Sequence, residues 1–275
     1  MAKVSATLNF WDYFVFGLML LISALIGIYH HFSGNKQRTT KTYLLGDHKM
    51  SVFPVTISLM ASFMSAITLL GVPSENYYFG TQFFVINISY IIGTPIAAFV
   101  FLPVFFQMKA TSAYQYLELR FSSYVRTTAS LVFAIQMILY MGIVLYAPAL
   151  ALSAVTGISK WWSIISVGLV CTFYCTAGGI KAVLWTDVFQ SFLMFASMIL
   201  IIIKGTIDVG GIDIVWKRAM EGNRIQFFNF DADPTVRHTV WSLAIGGIFI
   251  YVSLYGVNQT QVQRCLTVRS LRDAK

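Results

Sequence analysis

Apolar residues in this chain neither alternate with polar ones nor fall into narrow stripes. They run. Seven stretches stand out, at roughly 11–30, 52–72, 83–107, 128–156, 161–178, 187–204 and 239–257. Each is near or beyond the about 20 apolar residues that carry a helix across a bilayer. Strict alternation, the mark of barrel strands, is missing, so the runs predict helices. The predicted fold class is all-α, a multi-pass membrane helix bundle. The first run begins after Trp11 and is long enough to span, so it reads as a retained helix, with no cleavable signal peptide.

The polar positions set the breaks. Gly71 and Pro73 are expected to end the second run, and Gly178-Gly179 to end the fifth and turn the chain. The most polar segment, 205–238, holds Ile212, Val215, Trp216 and Met220 at helical spacing, which predicts a short amphipathic helix on the membrane surface. Asp231, Asp233 and Pro234 predict a turn before the last run.

Composition sharpens the class. Hydrophobic residues make up 57% of the 275 and charged residues 11%, against about 25% charged in soluble domains. Such a surface suits lipid, not water. The net charge of +8 does not signal nucleic-acid binding, because the basic residues do not gather on a polar face. Placing successive loops on alternate sides puts 12 of the 19 Lys and Arg on one side and seven on the other, five of the seven in or beside the long loop. The richer side is expected to be cytoplasmic. That predicts a plasma-membrane protein with its amino terminus outside, its carboxyl terminus inside and an odd number of spans. Cys171, Cys175 and Cys265 form no disulfide framework and read as buried structural cysteines.

Candidate chemistry is concentrated in the second run, Ser58-Leu59-Met60-Ala61-Ser62-Phe63-Met64-Ser65-Ala66-Ile67-Thr68. Small residues and hydroxyls there allow close helix packing. The alternative is a broken helix whose freed carbonyls and hydroxyls coordinate a desolvated cation. Asp187, at the predicted start of the sixth run, reads either as a helix cap or as part of an ion path. Gln136, Tyr140, Tyr146, Tyr90 and Tyr251 lie within runs, where packing and pore lining are both open. No hydrolase or metal constellation and no phosphate-binding Gly-Lys-Ser/Thr loop occurs, so neither an enzyme nor direct ATP coupling is expected.

Several segments carry a resemblance. They include Ala61-Ser62-Phe63-Met64-Ser65-Ala66, Gly71-Val72-Pro73-Ser74-Glu75 and Thr111-Ser112-Ala113-Tyr114-Gln115-Tyr116-Leu117-Glu118. Further along come Leu145-Tyr146-Ala147-Pro148, Gly178-Gly179 through Trp185-Thr186-Asp187-Val188-Phe189-Gln190, and Tyr255-Gly256-Val257-Asn258-Gln259 with Gln261-Val262-Gln263-Arg264. The chain resembles the sodium/solute symporter family, most closely its monocarboxylate, multivitamin and iodide branch. The resemblance implies two five-helix repeats of opposite topology with sodium and substrate between them. Residues 1–275 would then be a partial domain of about seven spans: an extra helix, the first repeat, and the opening helix of a second repeat that is largely missing.

The resemblance also implies roles. Ala61 and Met64 would offer carbonyls to sodium, Ser65 would sit near sodium, and Asp187 would lie on the sodium path. Phe63, Thr68, Tyr90, Tyr140 and Tyr251 would line the substrate site. Tyr90 and Thr68 stand where the iodide branch has glutamines, which points away from iodide, and Thr68 agrees with the monocarboxylate branch. The expected function is sodium-coupled symport of a small organic anion, with sodium as coupling ion, no cofactor, and the lipid bilayer as surroundings. A multivitamin substrate is the alternative. A short form that does not transport alone and regulates a full-length relative is a second class. A seven-helix receptor fits the span count, but the acid-Arg-Tyr and Asn-Pro motifs of that class are missing.

Overall fold

The computed structural model describes residues 9–32, 39–62, 64–108 and 110–275. Every long element among them is helical. Four helices are long and apolar enough to span a membrane: Phe10–Phe32, Thr81–Gln107, Ser123–Ala154 and Lys160–Val209. A fifth candidate is the pair Trp241–Val257 and Gln259–Cys265, bent by 56°. In the Ser123 and Lys160 helices no residue of the most apolar stretch is buried, as expected of side chains facing lipid.

Two boundaries differ from the sequence expectation. The expected break between the fifth and sixth runs is present: the segment Lys160–Val209 is two helices that meet at a kink at Gly179 (φ 56°, ψ −158°), but the second begins just past the kink and not at Asp187. Its 50 residues would reach about 75 Å if straight, more than twice a hydrocarbon core. Only glycine adopts that backbone conformation without strain. The kink therefore splits a rod too long for one crossing. The second run also does not stop near Gly71 and Pro73. The helix Ala66–Phe79 runs through Pro73, whose ring costs one backbone bond in the turn before it and leaves the rest intact.

Of the two readings of that run, the broken helix is the one observed. The helix Val52–Ala61 ends at Ala61, and the next begins at Ala66. The Ser58 carbonyl accepts both the Ser62 amide at 3.0 Å and the Ser62 hydroxyl at 2.5 Å. The Ala61 carbonyl accepts the Met64 amide at 3.0 Å, closing a tighter turn. A hydroxyl that bonds back to its own helix competes with the regular ladder, and here it does so where the ladder stops.

The chain divides into two compact units, Met1–Ile67 with Leu117–Val188, and Thr68–Tyr116 with Phe189–Lys275. In the first, helix Phe10–Phe32 crosses the Lys160 helix so closely that a Cβ on Gly27 would lie 2.7 Å from Tyr174 Cβ. Small residues permit such approach where lipid supplies no hydrophobic drive. The turn before the kink is tied from outside. The Tyr43 hydroxyl donates to the Cys175 and Thr176 carbonyls at 3.3 and 3.2 Å, and His31 Nδ1 lies 2.9 Å from the Ala177 carbonyl.

In the second unit, helices Thr81–Gln107 and Trp241–Val257 pack through small residues. Ser89 is fully buried against Gly247, and Gly93 faces Tyr251. Wide π-turns interrupt both helices, at Ala97–Phe101, Trp241–Gly246 and Ser253–Val257. At the bend, Asn258 is extended and caps the next helix through its side chain, which accepts the Thr260 amide at 2.9 Å. The expected amphipathic helix is Ile212–Glu221, with Ile212, Trp216 and Met220 on the outside of the unit. The expected turn at Asp231–Pro234 is a run of Asx turns, each carboxylate or amide oxygen holding an amide two residues on.

Candidate functional site

In the first unit the helix break sits beside an acid. Ser58, fully buried, donates its hydroxyl to the Asp187 carboxylate. The partner helix continues through Asp187 about two turns beyond the Gly179 kink. Asp187 is therefore inside a helix, where the backbone amides are already bonded, and the reading of it as a cap is overturned. Its carboxylate lies level with the last turn before the break. Oxygens brought together here are the Ser58 and Ser62 hydroxyls, the Ser58 and Ala61 carbonyls and the Asp187 carboxylate. The Ala61 carbonyl already takes one amide proton and retains a second lone pair. Met64 and Ser65 are non-helical and half-buried. Phe63 lies outside the described residues. Among those residues no group of three His, Cys, Asp or Glu could hold a metal ion, so a cation bound here would rest mainly on neutral oxygens, a donor set suited to a hard monovalent ion.

Tyr140 is also in the first unit, 41% exposed on the Ser123–Thr156 helix. Among the described residues, no side-chain bond joins it to the break.

The second unit brings together Tyr90 and Tyr251, with ring centroids 5.3 Å apart. Two further residues complete the group. The Thr94 hydroxyl donates to the Tyr90 carbonyl at 2.7 Å, and it meets the Tyr251 hydroxyl at 2.7 Å. With its one proton spent on the carbonyl, Thr94 accepts from Tyr251. Tyr255 stacks on Tyr251 at 4.4 Å and 20°. These rings form a ladder along the Trp241–Val257 helix, with Tyr90 across from it. Thr68 belongs to this unit as well, near the start of the Ala66–Phe79 helix, and is half-buried.

A model of the family described as "Sodium:solute symporter family" matches residues 43–275. This chain belongs to the Sodium:solute symporter family. Curated relatives agree with that membership. A Drosophila melanogaster protein provisionally named a sodium-dependent multivitamin transporter is 55% identical over 98% of this chain and 45% of its own. The Homo sapiens sodium-coupled monocarboxylate transporter 1 is 51% identical over 96% of this chain and 43% of its own. A solved structure of a Na+-coupled sialic acid symporter, titled as substrate-bound and outward-open, superposes with a TM-score of 0.90 at 29% identity, covering 97% of this chain and 56% of that one. The chain thus spans less than half the length of the curated relatives it matches. Membership in the symporter family and the superposition establish a multi-pass membrane protein of the all-α class.

Three residues of these two clusters escaped the sequence assignment. Ser58 was visible only as one hydroxyl among several in the second run. Tyr255 is one turn beyond Tyr251, the i,i+4 spacing that puts two rings on one helix face. Thr94 carried the same spacing from Tyr90, but nothing in the sequence marked its partner 157 positions away.

Proposed function

We infer that this chain contributes to sodium-coupled symport of a small organic anion of the monocarboxylate type. The observation that carries the reading is the broken helix at Ser62–Ser65 beside the Ser58–Asp187 pair. An interrupted membrane helix is expensive unless its freed backbone groups meet a partner. A desolvated sodium ion is such a partner, and in transporters with broken helices the coupling ion and substrate bind at such breaks. In this reading Ala61, Met64 and Ser65 take sodium, Asp187 lies on its path, and Phe63, Thr68, Tyr90, Tyr140 and Tyr251 face the substrate. The tyrosine ladder supplies an aromatic wall with polar hydroxyls at its edge, a combination suited to a carboxylate with an apolar body. Names and membership of the relatives lend support from outside the geometry.

The test is a chimera. This chain replaces the matching segment of the human monocarboxylate relative, and uptake of labelled lactate, nicotinate and biotin is measured in sodium and in choline. Saturable uptake of lactate or nicotinate that requires sodium is expected. Uptake of biotin in their place moves the substrate to the multivitamin class. Uptake equal in sodium and choline overturns the coupling.

A further inference from the structure

Arg224, half-buried just past the Ile212–Glu221 helix, is held by contacts on several sides. Its amide donates to the Ala219 carbonyl at 3.0 Å, and its carbonyl accepts the Thr81 amide at 2.9 Å. That approach requires Gly80, which has φ +81° and whose Cβ, if present, would lie 2.8 Å from the Arg224 oxygen. The guanidinium stacks over Tyr77 at 4.0 Å from the ring centroid. On its other flank is Gly222, where a Cβ would meet Arg224 Cζ and Nη1 at 3.2 Å. Backbone, ring and glycine thus fix the fork from several sides, a preorganisation that lowers the entropic cost of using it.

The fixed fork faces a cavity of about 400 Å³, lined by Tyr77, Tyr78, Phe79, Asn223, Arg224 and Gln226. Among the described residues no carboxylate lies within ion-pair distance of Arg224. Glu75, two residues before Tyr77, is taken by Arg237 at 2.7 Å and by His238 at 2.8 Å. Gln226 is also fixed. Its amide bonds the Thr81 hydroxyl at 3.1 Å, and its side-chain oxygen accepts from Gln82 Nε2 at 2.8 Å. The side-chain nitrogen of Gln226 then keeps its donors for the cavity. The lining is rich in donors, carries a positive charge and has three aromatic rings.

We propose that this cavity is a binding site for a small organic carboxylate with an aromatic or apolar body. The carboxylate pairs with the planar fork of Arg224 and the amide of Gln226, and the body packs on Tyr77, Tyr78 and Phe79. Charge-assisted, bidentate contacts of arginine with carboxylate are the strongest of the neutral-pH polar contacts. The site lies wholly within the second unit and is separate from the tyrosine ladder. It stands on this geometry alone and does not depend on the transport reading.

The test uses the full 275-residue chain in lipid nanodiscs, in potassium buffer without sodium, with 4-fluorobenzoate as probe and fluorine NMR as readout. Neutral 4-fluorobenzyl alcohol reports partition into lipid. Saturable binding of the benzoate is expected, weakened by about tenfold or more in Arg224→Gln, because the charged fork is lost. Arg224→Lys should weaken it as well, since lysine keeps the charge without the stacked plane. Thr127→Ala, on the Ser123–Thr156 helix and outside both clusters, should leave it unchanged. Thermal melting of each variant separates lost binding from lost fold, and Gln226→Leu gives a second cavity variant that leaves the Arg224 backbone contacts in place. No saturable binding by the intact chain, binding unchanged in both Arg224 variants, or binding lost in Thr127→Ala would each overturn the proposal.

Discussion

Ser58 and Asp187, 129 positions apart, meet as hydroxyl donor and carboxylate acceptor beside the break in the Val52–Phe79 segment. The bond joins the last regular turn before the break to the helix beyond the Gly179 kink. Both interruptions are therefore fastened to each other inside one unit.

Removing the donor should be felt. Ser58→Ala leaves the half-buried carboxylate of Asp187 short of one hydrogen bond, and a bond to a charged group is worth about 1.5–3 kcal/mol. A lowered melting temperature of the purified chain is expected, with Ser58→Thr retaining most of the stability. A melting temperature unchanged in Ser58→Ala would show that the contact carries no weight.

The tyrosine ladder can be probed from two directions. Tyr251→Phe deletes the Thr94 contact and keeps the stack on Tyr255, at an expected cost of about 0.5–1.5 kcal/mol. Gly93→Ala places a methyl 2.5 Å from Tyr251 Cδ1, an overpacking that costs about 1–3 kcal/mol. Gly93→Ala should therefore lower the melting temperature more than Tyr251→Phe, as thermal denaturation of both variants would reveal.

The kink depends on a residue without a side chain. Gly179→Ala forces a Cβ into φ 56°, ψ −158°, at a cost of about 1–3 kcal/mol. A straighter helix would relieve that strain but would pull the Cys175–Ala177 carbonyls away from Tyr43 and His31. Spin-label distances across residue 179 should lengthen, or the protein should lose stability by that amount.

The loop before the last helix carries a pH response. The Thr235 amide, at 2.8 Å, and then its hydroxyl, at 2.7 Å, hold the Asp233 carboxyl below its usual range. A carboxyl whose pKa is lowered by folding contributes order above its ordinary pKa and loses it as pH falls through the lowered value. Protection of the Thr235 amide relative to its intrinsic exchange rate should be present at neutral pH and should be lost in that acid window. Asp233→Asn should weaken the protection at neutral pH.

The sequence made the spans legible because lipid demands apolar runs, and the break at Ala61–Ser65 because hydroxyls crowd one place in such a run. Gly178-Gly179 marked the kink, but hydropathy misplaced the start of the helix beyond it. Lys181 and Asp187 look like the ends of spans, yet a helix passes through both, since a charge ends the apolar run but not the backbone ladder. It failed at Pro73 for a related reason: one forfeited bond does not stop a helix. The pairing of Tyr251 with Thr94 and the fixing of Arg224 by Gly80 and Gly222 had no local signature. Each depends on segments that only tertiary packing brings together.

The central claim is that oxygens at the break bind sodium. The most direct measurement is the sodium concentration for half-maximal uptake in the chimera, with and without Ser65→Ala, at a fixed concentration of lactate. Loss of one ligand should raise that concentration by about tenfold, equivalent to about 1.4 kcal/mol, while uptake at saturating sodium persists. A sodium dependence identical in the two proteins would contradict the account.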